Sequence, residues 1–110
     1  MTALLVAAGA AVGASLRYLV ATRLDGAFPR GTLAVNTVGS LLLGMLSALA
    51  LSGSAWALLA TGFCGGLTTY SAFAVQAHGL GVRRGSAYAV VTVGLWLGAC
   101  ALGFWIGAQA

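Results

Sequence analysis

The sequence has almost no acid. One aspartate, Asp25, stands against five arginines, and neither glutamate nor lysine occurs in 110 residues. General acid–base catalysis needs positioned titratable groups, and a lone carboxylate with a lone histidine, His78, offers almost none. No Ser/His/Asp set, carboxylate pair, phosphate loop or metal cluster can be assembled, so the chain is not expected to be an enzyme. Cysteine is scarce too. Cys64 and Cys100 fit no metal spacing and no disulfide framework; both read as small buried apolar residues. The net charge of +4 rests on few, dispersed arginines, which argues against a nucleic-acid patch.

Charge is missing over long stretches. No Lys, Arg, Asp or Glu occurs from Gly31 to Val82, or from Gly85 to the end. The chain is 61% hydrophobic and 5% charged, with a mean hydropathy of +1.04. A soluble domain of this size has no interior large enough for that much apolar surface. A spanning helix takes roughly 20 mainly apolar residues. The first run therefore holds two spans, the second holds one, and the N-terminal stretch makes a fourth. The expected helices are about 2–22, 32–52, 55–79 and 86–108, in one transmembrane domain over 1–110. Ala8, Gly9 and Ala10 could mimic a signal-peptide cleavage site, but no basic segment precedes the apolar run, so it reads as a span.

The arginines are one-sided. Arg23 and Arg30 belong to the first loop, Arg83 and Arg84 to the third, and Arg17 lies at the end of the first helix nearest that side. The turn at Ser52, Gly53 and Ser54 carries no charge, nor does the C-terminal tail. Cytoplasmic loops collect Lys and Arg. The pattern predicts loops 23–31 and 80–85 in the cytoplasm and both termini outside.

What the chain has in abundance is glycine, seventeen of them. Gly9 with Gly13, Gly94 with Gly98, and Gly103 with Gly107 are spaced for close helix contact, within a protomer or between two copies. In the third span, Gly65-Gly66 followed by Thr68-Thr69 invites a break. Glycine weakens a helix by about 1 kcal/mol, and a threonine hydroxyl can satisfy freed backbone groups. Unwound backbone at mid-membrane exposes carbonyls that coordinate a cation such as Na+. Asn36 offers donors and an acceptor inside the second span, with Ser40 one turn on. Read alone, it is better explained as a hydrogen bond joining helices. Tyr70 and Phe73 share a face, with Ser71 and Gln76 nearby, and by spacing alone they are packing aromatics. Tyr88 and Thr92 could extend a polar line in the fourth span, although Thr92 also suits a bond to its own helix. Trp96, Phe104 and Trp105 suit an interface belt or lipid contact.

Three stretches together resemble the Fluc/CrcB fluoride channels: GASLRY at 13–18, GTLAVNTVGSLLLG at 31–44, and GFCGGLTTYSAF at 62–73. The resemblance covers essentially the whole chain. It implies an all-α membrane protein of four helices, the third broken at mid-membrane, paired as an antiparallel dimer with two pores. It implies a fluoride-specific channel that lowers cytoplasmic fluoride by passive export, in the bacterial plasma (inner) membrane. It also implies a structural, untransported Na+ at the dimer centre, held by the carbonyls of Gly65 and Thr68 from both copies. The family's pore asparagine matches Asn36, its paired phenylalanines match Tyr70 and Phe73, and its vestibule arginine matches Arg17. Fluoride is small and strongly hydrated, so a pore must replace its water with donors. The Asn36 amide, the hydroxyls of Thr69, Ser71 and Thr92, and aromatic edges are suited to that.

The chain departs from the family pattern at several positions. Tyr70 stands for a phenylalanine and Gln76 for an expected glutamate. Trp96 stands where a small polar residue would better continue the hydroxyl line, which questions the evenness of the two pores. The arginine bias is at odds with a dual-topology homodimer and suggests a heterodimer with an oppositely oriented homologue. A small multidrug exporter has similar size, but that chemistry needs an acid within the membrane, and no span contains one. The remaining alternative is a non-conducting scaffold, or the less active subunit of a heterodimeric channel, surrounded by lipid in either case.

Overall fold

In a computed structural model, which describes residues 2–109, the chain is nearly all helix. Helix α1 spans Thr2–Leu24 and α2 spans Arg30–Ala48. The third span, Gly53–Gly79, consists of α3 over 53–67 and α4 over Tyr70–Gly79. Helix α5 runs from Gly81 to Ala108. The four spans hold 23, 19, 27 and 28 residues, each long and apolar enough to cross a membrane. The long dimension of 43 Å matches a bilayer with its headgroups, about 40–45 Å.

The boundaries differ from the sequence expectation in physically sensible ways. Helix α2 starts two residues early because Asp25 Oδ1 accepts from the Gly31 and Thr32 amides, at 2.7 and 3.0 Å. That satisfies two of the free N–H groups of its first turn. It ends at Ala48 rather than 52, in a turn where Ala50 takes φ +52°. Ser52 caps the next helix, accepting from Ala55 N at 3.3 Å. Helix α5 begins at Gly81, whose φ of +86° makes the reversal after α4 and favours glycine. Arg83 and Arg84 therefore lie in the first turn of a helix, not in a loop. They stay at the same end of the molecule as the α1–α2 loop, because Gln76 near the end of α4 bonds Asp25 in that loop.

Close backbone approach accounts for much of the glycine. A Cβ on Gly9 would lie 2.7 Å from Phe63 N, and one on Gly13 2.7 Å from Leu67 N. On the opposing helix, a Cβ on Gly66 would lie 2.8 Å from Ala10 Cα. Glycines thus interlock α1 with α3. A second such seam joins α2 to α5, where Gly44 faces Phe104 N, Gly103 faces Leu41 and Gly107 faces Met45. Without a hydrophobic drive between helices in lipid, this contact supplies much of the association. A Cβ on Gly94 or Gly98 would meet nothing from another helix within 4 Å, so this pair makes no close approach within the chain.

The third span is irregular before it breaks. Residues Ala57–Cys64 form a π-helix, a wider turn than the α-helix around it. Gly65, Gly66 and Leu67 remain helical, so the glycines are not the break. It falls at Thr68 (φ −93°, ψ 157°) and Thr69 (φ −151°, ψ 122°), both extended. The reason is twofold. Gly66 is needed bare for the approach of α1, and two β-branched residues are at ease in extended backbone.

Candidate functional site

Breaking a helix frees backbone groups, and each must find a partner. Three side chains share that task. Asn36, buried at 3% exposure on α2, clamps Thr69 from both sides. Its Nδ2 donates to Thr69 O at 2.9 Å, and its Oδ1 accepts from Thr69 N at 2.7 Å. The hydroxyl of Thr69 caps α4 by accepting from Ala72 N at 3.1 Å, and lies 3.3 Å from Ser71 Oγ. Arg17, half-buried on α1, donates from Nε to Gly66 O at 3.1 Å. A cation there also faces the carbonyl end of α3, where the helix dipole favours it.

These bonds decide which carbonyls are left over. In a continuous helix Thr69 N would serve Gly65 O, and Ala72 N would serve Thr68 O. Asn36 takes the first amide and the Thr69 hydroxyl takes the second. Gly65 O and Thr68 O thereby lose their helical partners, and these are the carbonyls expected to hold sodium. Gly65 is exposed, and a Cβ there would meet nothing nearer than Ala60 O at 4.0 Å. The donor set fits a hard cation, which prefers oxygen ligands. Two carbonyls from one chain are too few for one, so the fit requires a second set.

Beside the break lies a cavity of about 270 Å³, lined among others by Asn36, Ser40, Thr68, Thr69, Tyr70 and Trp96. The polar lining is positioned from different helices. Ser40 Oγ is bonded back to Asn36 O at 2.8 Å, and Thr68 Oγ1 to Cys64 O at 2.8 Å. Asn36 keeps one amide hydrogen beyond the one given to Thr69, since the group carries two. Tyr70 is 73% exposed and Phe73 only 6%, so the two aromatics occupy different settings. Their ring centroids are 5.8 Å apart, tilted at 53°. Phe73 continues inward to Trp96 at 4.8 Å, edge to face, and to Tyr88 at 5.3 Å.

The fourth span departs from its sequence reading. Thr92 is fully buried, yet its hydroxyl is not bonded back to its own helix and has only the Tyr88 hydroxyl in loose reach. Trp96 does not join Phe104 and Trp105 on the exposed surface. It lines the cavity and packs on Phe73, with its indole Nε1 buried and unpartnered. Phe104 and Trp105 are exposed at 53% and 62%, as lipid contact requires.

One cluster had no signal in the sequence. Asp25 Oδ2 accepts from Thr32 Oγ1 at 2.9 Å and from Gln76 Nε2 at 3.2 Å, and Gln76 Nε2 also reaches Thr32 Oγ1 at 3.1 Å. With both amide hydrogens so engaged, Gln76 turns its carbonyl to the Tyr88 hydroxyl at 3.5 Å. Phe28 stands edge-on to the Tyr88 ring at 5.2 Å. Asp25 and Gln76 are 51 residues apart, beyond the reach of any local pattern.

Comparison with known proteins agrees with this architecture. The family model described as CrcB-like protein, Camphor Resistance (CrcB), matches residues 4–108. A protein of Rhodococcus jostii (strain RHA1) named fluoride-specific ion channel FluC 2 is 51% identical over 110 residues, covering 94% of this chain and 96% of its own. Fluoride-specific ion channel FluC 1 of Thermobifida fusca (strain YX) is 48% identical, covering 90% of this chain and 86% of its own. A FluC 2 of Halobacterium salinarum, also named a fluoride-specific ion channel, is 46% identical over 96% of this chain and 86% of its own. With a family match reaching from the first helix through the last and relatives of this likeness along nearly their full lengths, the chain belongs to the CrcB family.

Proposed function

We propose that this chain is the subunit of a fluoride channel that lowers cytoplasmic fluoride by passive export. The relatives' names supply the ion, and they are names of channels, not enzymes. The observation that carries the reading is the Asn36 clamp. One buried amide holds open a break in a membrane helix and keeps a spare N–H beside an aromatic-lined cavity. Fluoride surrenders its hydration only to comparable donors, and here those are the Asn36 amide, the Thr69, Ser71 and Thr92 hydroxyls, and the positive edges of Tyr70 and Phe73. A path without carboxylates does not repel the ion. Arg17 contributes its positive field from beside the break, raising local anion concentration.

The chain works as a dimer in this reading, antiparallel, with the breaks of two copies meeting. Gly65 O and Thr68 O of each would hold a sodium ion that is not transported. When bound, the ion would neutralise carbonyl dipoles facing one another across the contact. The site is in the bacterial inner membrane, with the arginine-bearing end cytoplasmic and both termini outside. The arginine bias favours a heterodimer with an oppositely inserted homologue, within which this chain could be the less active member. Tags on both termini test this: termini on both sides of the membrane would restore a dual-topology homodimer.

The deciding experiment is fluoride efflux, followed by a fluoride electrode, from liposomes containing this chain alone. Rapid efflux that spares chloride is expected of a conducting homodimer. Efflux only after co-reconstitution with a homologue would identify a heterodimer, and none under either condition would leave a scaffold.

A further inference from the structure

Two buried hydrogen-bond donors on α5 make no hydrogen bond of ordinary length. The Trp96 indole Nε1 is shut away from solvent without a partner, and the Thr92 hydroxyl, equally buried, has only the Tyr88 hydroxyl in loose reach. Leaving such a group unmet costs about 1–3 kcal/mol, and native structures seldom tolerate it without a reason. Here the two stand one helical turn apart, on the same face of α5. Trp96 also lines the cavity that Asn36 and Thr69 border, and its ring meets Phe73 edge to face at 4.8 Å. Of the other polar lining, Asn36 keeps its spare N–H. Ser40 and Thr68 are bonded to their own helices, and Thr69 caps α4.

We propose that Trp96 Nε1–H and the Thr92 hydroxyl form a two-donor anion step, at which a small anion is held as it passes Phe73. This rests on the fluoride-channel reading and assigns the indole, not a small hydroxyl residue, as a donor in it. The chemistry of an indole suits the task. Its N–H donates and cannot accept, so it cannot satisfy itself on a neighbouring N–H. Its bulk narrows the path, which favours the smallest halide. Thr92 complements it with a hydroxyl that can rotate toward the ion. The tryptophan that looked like a defect in a hydroxyl line is, in this view, its replacement.

Two measurements test the step. Trp96→Phe keeps a ring against Phe73 and removes the donor together with part of the indole's bulk, a loss of bulk that by itself would widen the path and raise efflux. Fluoride efflux from liposomes should fall about tenfold, the effect of about 1.4 kcal/mol on the barrier, with the variant eluting and melting as the native protein does. Thr92→Val should act in the same direction. The second measurement leaves Trp96 untouched. In a Trp56→Phe/Trp105→Phe protein it is the sole tryptophan. Its emission should change saturably with potassium fluoride and not with potassium chloride. Native efflux in Trp96→Phe would overturn the proposal. A native protein that passes no fluoride, alone or co-reconstituted with a homologue, would instead defeat the channel reading. The emission would then decide alone: a fluoride-specific response upholds an anion site there, and a flat titration removes it.

Discussion

Asn36 carries two loads, and its replacement separates them. Asn36→Ala removes both hydrogen bonds to Thr69, at 2.9 and 2.7 Å, from a side chain only 3% exposed. It strands the part-buried N–H and C=O of Thr69. At about 1–3 kcal/mol for each stranded group, the loss is at most about 2–6 kcal/mol. Asn36→Asp is the sharper probe. It keeps an acceptor for Thr69 N but sets a carboxylate oxygen against Thr69 O, and it places a negative charge on the anion path. Unfolding by SDS titration in mixed micelles should show Asn36→Ala destabilised by that amount and Asn36→Asp by a similar one. Fluoride efflux should be lost in Asn36→Asp even in samples selected for remaining folded. The clamp matters to the cation site as well, because it takes the amide that would otherwise serve Gly65 O. Protection of the folded protein by sodium should therefore shrink in Asn36→Ala. A variant within about 0.5 kcal/mol of native, the range of an inconsequential surface change, would refute the clamp.

Other perturbations follow from the same geometry. Gly13→Ala puts a methyl 2.7 Å from Leu67 N and should destabilise the α1–α3 seam by about 1–3 kcal/mol, seen as a lower melting temperature in detergent. Gln76→Glu sets a second carboxylate against Asp25 and should weaken the fold, as should Asp25→Asn, which deprives the Gln76 amide of its acceptor. The double variant restores a donor facing an acceptor, so a double-mutant cycle on thermal stability should give a coupling of at least about 1 kcal/mol, and simple additivity would count against the network. Replacing sodium by N-methylglucamine should lower the melting temperature. Saturating sodium, at about a hundred times its dissociation constant, stabilises by about 2.7 kcal/mol, and equal melting in the two salts would speak against a sodium site.

The spans were legible because charge is absent over whole runs, a signal that needs no knowledge of neighbours. The break was legible as a region but not as a position. Glycine's weakness in a helix pointed to Gly65-Gly66, whereas the packing of Ala10 on Gly66 uses that glycine to bring two helices together. The chain comes apart one step later, where Asn36 can receive Thr69. Trp96 shows the same limit. An indole in a membrane helix suits a lipid boundary by composition, and only the placement of Phe73 reveals that it faces inward. The Asp25–Thr32–Gln76 cluster joins a loop and two helices, and no periodicity in any one of them encodes it. The π-helical stretch left no mark in the sequence at all.

That stretch, Ala57–Cys64, also determines which changes of length the chain can survive. A wider turn accommodates extra residue within the same advance, so the backbone behind it stays close to the phase of a plain α-helix. Deleting one residue from 57–64 would let the segment relax to α-helix with the backbone beyond it close to its present phase, whereas deleting one from a regular α-helical turn before it would rotate everything beyond by about 100°. Thr68 and Thr69 would swing off the axis of Asn36, and Gly66 would turn a neighbour's side chain toward Ala10. A single deletion in the regular turns is therefore closer to a frameshift of geometry than to a local trim, while the wide stretch can give up a residue. The turn at 49–52, where the chain only has to reverse, has no such phase to lose.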